Sequence, residues 1–223
     1  MEHLNKHPVI YFDLYPFMYE WSSGKLKDQT MVQYFEDTHV AELAREYSHV
    51  EIKQGMSLHN AMRAIANDEN DNHKFIVIID EWDMVLREGV NEPNMIEDYI
   101  ACLRSIFRSK DTADYLDGAY MTGILPIIKY NTQSALSDFR EYTMLDPGPL
   151  AKYVGFTRED IRVVCERYGA DEKALKEWYD GYSFPGIGEV YCPSSIIQAA
   201  KNGVYKSYWT ATSAMESLTD YIY

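Results

Sequence analysis

Asp80, Glu81 and Asp83 stand together behind Phe75-Ile-Val-Ile-Ile79, an unbroken apolar run rich in β-branched side chains. Four hydrophobic residues followed by Asp-Glu is the Walker B pattern of nucleotide hydrolases. There the Asp holds Mg²⁺ through water, and the Glu polarises the water that attacks the γ-phosphate. A structural reading competes with this one: Asp80 ends a strand and Glu81 opens a solvated loop, because such runs are common in α/β proteins. Thr122, closing the run Leu116-Asp-Gly-Ala-Tyr-Met-Thr122, is a further candidate. On a parallel neighbour strand it lies beside Asp80, where a polar side chain (sensor 1) contacts the attacking water or the γ-phosphate. Asp80, Glu81 and Asp83 are also a set able to take a divalent ion unaided. No Glu/Asp-x-Lys directly follows them to supply a nuclease lysine.

The elements that position these acids follow from length and periodicity. Residues 75–79 are too short for a buried helix and suit a strand covered on both faces. A parallel strand delivers its last side chains to the carboxyl edge of the sheet, where open α/β sheets bind ligands. Val9-Ile-Tyr-Phe-Asp-Leu14 reads as a first strand, and residues 15–27 as a loop holding Pro16 and Gly24. Gly24-Lys25 invites a phosphate-loop reading that fails: Leu26 replaces the Ser or Thr, and Tyr19 replaces the first glycine of GxxxxGK[ST]. Asp28 reads as the cap of a helix to Tyr47, with Met31, Val32, Phe35, Leu43 and Ala44 on its apolar face. Ser57 caps a second helix, and a polar loop over 67–73 precedes the central strand.

A loop with Gly89 and Pro93 follows Asp83. Asn94 then caps a helix whose stripe is Ile96, Tyr99, Ile100, Leu103, Ile106 and Phe107. His39, His49 and His59 recur at a spacing that fits no metal geometry on one helix face, so they read as surface histidines. Lys129, Ser134 and Arg140 lie in a polar stretch that either approaches phosphates or forms a solvated face. Glu141–Leu145 reads as a short last strand before the turn cluster Asp146-Pro-Gly-Pro149.

Beyond that cluster the texture changes. Thr157-Arg-Glu-Asp160 is a capping box with Asp in place of Glu or Gln, opening a helix that stops at Gly169. A short helix leads into Trp178-Tyr-Asp-Gly-Tyr182; Val190-Tyr191 is a strand, and Pro193 opens a helix ending at Asn202-Gly203. The aromatic segment either binds a partner or locks the small module in place. Asp180-Gly181 is itself a turn signal.

Composition restricts the function classes. The 223 residues carry a formal net charge of −14, which repels a phosphate backbone; direct nucleic-acid binding is disfavoured. Nineteen tyrosines are scattered among acids and suit core and interface positions. No apolar run approaches the roughly 20 residues needed to span a bilayer, and Met-Glu-His-Leu-Asn-Lys6 lacks the features of a signal peptide. Cys102, Cys165 and Cys192 lie far apart and read as reduced thiols of a cytoplasmic protein.

His7-Pro-Val-Ile-Tyr-Phe-Asp-Leu14, Ile78-Ile-Asp-Glu-Trp-Asp83, Met121-Thr-Gly-Ile-Leu125, Gly155-Phe-Thr157, Glu177-Trp-Tyr-Asp-Gly-Tyr182, Val190-Tyr-Cys-Pro-Ser194 and Tyr208-Trp-Thr-Ala-Thr212 occur in one order. That series resembles the bacterial AAA-ATPase-like proteins, P-loop ATPases often joined to a C-terminal PD-(D/E)XK nuclease-like domain. Usual members read Tyr where this chain has Trp82 and Asn where it has Cys192. The resemblance implies an α/β fold: a partial P-loop NTPase parallel sheet with flanking helices over residues 1–148, then a small α-rich lid or winged-helix-like module over 149–223. It also implies Mg²⁺ and ATP as cofactors, with Asp80 on the metal side, Glu81 as the base and Thr122 as the sensor.

In such proteins the phosphate-binding Walker A loop precedes the His-Pro-Val-Ile strand, and no GxxxxGK[ST] occurs here. The expectation is a truncated or decayed ATPase module with impaired activity and ATP affinity of millimolar or worse, on the order of what remains without charge-assisted phosphate contacts. The alternative is a non-catalytic protein-interaction module. Loss of the Walker A strand would leave the third strand as an open edge, favouring a homo-oligomer or a protein partner.

Overall fold

The computed structural model describes residues 5–26, 28–71, 73–89, 91–125, 136–179 and 181–208. Lys129, Ser134, Asp180 and the 209–212 part of the last motif lie outside the described residues. The chain divides into two compact units, Met1–Glu141 and Tyr142–Tyr223.

In the first unit β1 (Val9–Asp13), β2 (Phe75–Asp80) and β3 (Leu116–Met121) form a parallel sheet in the order β1-β2-β3. Helices α1 (Tyr15–Ser22), α2 (Met31–Glu46) and α3 (Leu58–Ala66) connect β1 to β2. Helices α4 (Met84–Glu88), α5 (Pro93–Phe107) and α6 (Thr112–Tyr115) connect β2 to β3. Both crossovers step across the sheet in the same direction, so right-handed connections bring both sets of helices to one face. Burial follows that rule. Phe12, Phe75, Val77 and Ile79 are buried in the core with Leu58, Ile65, Leu103 and Ile106. On the opposite face Val9, Tyr11 and Tyr120 are exposed, and Ile76 and Ile78 are only partly buried. The expected two-sided cover of β2 is therefore corrected to one buried face.

Several local expectations are corrected as well. Residues 15–22 form α1 rather than a loop, because Pro16 sits in the first turn, where its missing N–H costs nothing, and Phe17 and Met18 are buried. Thr30, not Asp28, caps α2, through a capping box with Gln33. Pro93 opens α5 one residue before Asn94, and α4 occupies part of the expected loop. His39 is buried, not superficial: its Nδ1 bonds the Phe35 carbonyl at 2.8 Å, among the rings of Phe12, Phe17 and Phe35.

In the second unit a 3₁₀ turn (Gly148–Tyr153) precedes β4 (Phe156–Thr157), α7 (Arg158–Tyr168), α8 (Glu172–Trp178), β5 (Tyr182–Phe184), β6 (Gly188–Tyr191) and α9 (Pro193–Asn202). The strands form an antiparallel sheet in the order β4-β6-β5. Ile161, Leu175, Tyr191, Ile196 and Ala199 form its core. Thr157 and Asp160 complete the capping box of α7, and Gly169, at φ 68°, ends that helix in the left-handed conformation. Glu141–Leu145 is not a strand. The Thr143 hydroxyl accepts the N–H groups of Leu145 and Asp146, curling the segment into a turn against Gly148 through Tyr142. This contact joins residue 142 to the second unit, ahead of the Asp146–Pro149 cluster. Of the aromatic segment, Trp178 and Tyr182 are exposed, while the Tyr179 hydroxyl donates to the Lys206 carbonyl at 2.8 Å.

Candidate functional site

β2 carries Asp80 to the carboxyl edge of the sheet, in register with Asp13 of β1. On its other side the pairing continues past β3: the Thr122 N–H donates to the Ile79 carbonyl, and the Trp82 N–H donates to the Thr122 carbonyl, each at 2.9 Å. These two bonds hold Thr122 against the Asp80 turn. Its hydroxyl donates to Asp80 Oδ1, and the Tyr11 hydroxyl donates to Asp80 Oδ2 at 3.2 Å. Partial desolvation, then the hydrogen bond and charge of Asp80, raise the Tyr11 phenol above its ordinary pKa, so it remains a neutral donor. The exposed Asp80 carboxylate thus has both oxygens oriented by hydroxyl groups from the two flanking strands.

Glu81 turns the chain away from the sheet with φ 53°, a left-handed conformation that costs a side-chain-bearing residue about 1–2 kcal/mol. Strain of this kind persists where surrounding contacts over-determine it. Here the Glu81 carbonyl accepts the Met84 N–H at 2.8 Å, and the Glu81 carboxylate pairs with the Arg87 guanidinium. Burial raises the Glu81 pKa; Arg87 opposes this, and the charges of Asp83 and Asp80 raise it further. The net result is a carboxylate more basic than an ordinary glutamate.

Beneath this turn Asp83 is fully buried. Its Oδ2 accepts the Arg87 Nε–H at 3.1 Å, the Ile124 N–H at 3.2 Å and the Leu125 N–H at 2.8 Å. The Tyr99 hydroxyl donates to the neighbouring Trp82 carbonyl at 2.7 Å. Asp83 therefore ties the segment after Thr122 to the acid turn, and its place in an ion-binding trio with Asp80 and Glu81 is corrected: it faces the interior. Gly123 makes this approach possible, since a Cβ there would lie 2.5 Å from Asp83 Oδ1 and 2.6 Å from the Trp82 ring. Arg87 and Gly123 escaped the sequence reading. The i,i+4 spacing of Asp83 and Arg87 was the available signal, but only within a helix, and that stretch read as a loop.

Asp80, its neighbour Asp13 and the Thr122 hydroxyl offer the hard oxygen donors that suit Mg²⁺ held partly through water. Arg87, the cation built into the turn, is engaged by two carboxylates and is not free for a phosphate.

A family model described as Predicted AAA-ATPase (AAA-ATPase-like) matches residues 1–132. The chain belongs to the AAA-ATPase-like family. The match covers the acid turn and Thr122 of this AAA-ATPase-like chain. A curated relative from Azotobacter chroococcum mcd 1, described as "Uncharacterized protein in vnfD 5'region", is 23% identical over 150 residues, 66% of this chain. The alignment spans 28% of that relative. No solved structure matches. Among the described residues no helix is long and apolar enough to cross a membrane.

Proposed function

We propose that this chain carries the acidic half of an ATPase site, in which Asp80 holds the Mg²⁺ of Mg-ATP, Glu81 acts on the attacking water and Thr122 is the sensor. The observation that supports it is the Asp80–Thr122 hydrogen bond across parallel strands, one residue from a strained Glu81 whose pKa burial raises. Bound Mg²⁺ would neutralise charge on the β- and γ-phosphate oxygens. Asp80, oriented by Tyr11 and Thr122, would hold that ion. Glu81 takes hydrogen-bond donation from the water whose oxygen attacks the γ-phosphorus, while the bond to the β–γ bridging oxygen breaks. To do so it offers its free oxygen or exchanges Arg87 for water. Thr122 reports the state of Asp80 to the segment that Asp83 anchors.

This reading takes the phosphate cradle from outside the 223 residues, which contain no GxxxxGK[ST] stretch. The second unit, whose described residues form three α-helices and a small antiparallel sheet, reads as a winged-helix-like module. A second reading, a non-catalytic interaction module with a structural acid turn, is favoured by the pairing of Arg87 with Glu81. One experiment separates the two. ATP turnover is measured in a protein that joins these residues to a phosphate-binding loop, with Asp80→Ala, Glu81→Gln and Thr122→Ala beside it. Glu81→Gln should retain Mg-ATP binding and slow turnover by roughly 10²–10⁴-fold, and Asp80→Ala should lose Mg²⁺-dependent binding. Undiminished turnover in Glu81→Gln would overturn the role given to Glu81, and no turnover above background in the joined protein would leave the interaction reading standing.

A further inference from the structure

Far from the acid turn, at the amino end of β2, three metal-ligating side chains converge from two separate segments. His49 follows the end of α2, and Asp68 and Asp71 lie in the loop that enters β2. One donor atom from each lies within 4.8 Å of the other two. His49 Nε2 is 2.6 Å from Asp71 Oδ2 and 3.8 Å from Asp68 Oδ1.

We propose that His49, Asp68 and Asp71 form a divalent transition-metal site of the Zn²⁺ class that pins the loop entering β2 to the end of α2. Ligands at tetrahedral Zn²⁺ stand about 3.3 Å apart, given bonds of about 2.0–2.2 Å. The 2.6 and 3.8 Å separations bracket that distance, and all three donor atoms lie within 4.8 Å of one another. Hydrogen bonds order the segments that carry the donors. Asp68 Oδ1 accepts the Asn70 N–H at 2.9 Å and its side-chain amide at 3.0 Å. The Asp71 carbonyl bonds His73 Nδ1 at 3.0 Å, and His73 Nε2 bonds the hydroxyl of Tyr47, two residues before His49, at 3.3 Å.

Charge points the same way. Two carboxylates with only 25% and 17% side-chain exposure face one imidazole, and a protonated histidine balances only one of them. A dication balances both, in a chain of net charge −14. One borderline nitrogen with two hard oxygens selects Zn²⁺, Co²⁺ or Ni²⁺ over Mg²⁺ and Ca²⁺. His49 is 44% exposed, which leaves room for water to complete the coordination.

The test is calorimetric titration of the 223-residue protein with Zn²⁺, with Co²⁺ absorption as a spectroscopic check and thermal melts with and without metal. The variants are His49→Gln, which keeps a hydrogen-bonding group beside Asp71, and Asp71→Asn. A Cys165→Ser/Cys192→Ser pair and Asp80→Ala are the comparison proteins. The expected result is one saturable Zn²⁺ site, weakened at least tenfold in each cluster variant and unchanged in the comparison proteins. The metal-induced rise in melting temperature should vanish in His49→Gln although its metal-free melt matches the parent. Absence of a saturable site, undiminished binding in His49→Gln, or loss of binding in the Cys or Asp80 proteins would overturn the assignment.

Discussion

Arg87→Met removes the guanidinium that bridges Glu81 and Asp83 while keeping much of the side chain's apolar bulk. Asp83 is 0% exposed and Arg87 10% exposed, so this is a buried pair whose surviving partner stays out of water. Breaking such a pair costs about 3–5 kcal/mol. Two backbone N–H groups still reach Asp83 Oδ2 and offset part of the loss, which places the expectation near the lower end, about 3 kcal/mol. The Glu81 side of the bridge is 47% exposed and adds less than about 1 kcal/mol. For a unit of this size the melting temperature should fall by roughly 6–12 °C. Urea denaturation followed by tryptophan fluorescence measures the loss, and a cycle with Asp83→Asn isolates the pair. Asp83→Asn/Arg87→Met should show a coupling of about 1–3 kcal/mol, because the amide still accepts the loop N–H groups without a stranded charge. A cost below about 1 kcal/mol for Arg87→Met, with no coupling, is the behaviour of a surface ion pair and would refute the reasoning.

Gly123→Ala should destabilise the first unit by about 1–3 kcal/mol in the same urea assay, since the added carbon would lie 2.5 Å from Asp83 Oδ1. A melt within error of the parent would show that the two loops separate freely. Burial holds the His39 pKa below its ordinary 6.5, outweighing the Phe35 carbonyl and Glu42, which act to raise it. The unfolded chain therefore takes a proton that the folded chain refuses, and stability falls as pH drops through 6.5 toward the depressed folded value. His39→Leu should flatten that part of the pH–stability curve; an unchanged slope counts against a buried neutral imidazole. Cys102 is buried and its thiol is pushed far up by desolvation, so it should resist a disulfide reagent until urea unfolds the chain. Rapid labelling of Cys102 in the native protein would contradict its placement in the core.

Sequence alone located the central strand, the acids behind it and most helix ends, because these depend on short-range chemistry. An apolar β-branched run admits few structures, Thr157 and Asp160 satisfy each other's backbone partners within one turn, and Gly169 and Gly203 relieve left-handed caps locally. The same local rules misread residues 15–22, where Pro16 signals both a loop and a first helical turn, and burial of Phe17 and Met18 decides between them. Which acids face solvent was decided by tertiary structure. Asp80 and Asp83 are three residues apart and alike in type, yet one is exposed at the sheet edge and the other is sealed beneath Gly123 and Arg87. That difference arises from the left-handed turn at Glu81, which carries Trp82 and Asp83 back under the sheet edge. The pairing of His49 with Asp68 and Asp71 has the same origin: residues distant in sequence meet only once α2 and the loop into β2 have packed on one face of the sheet.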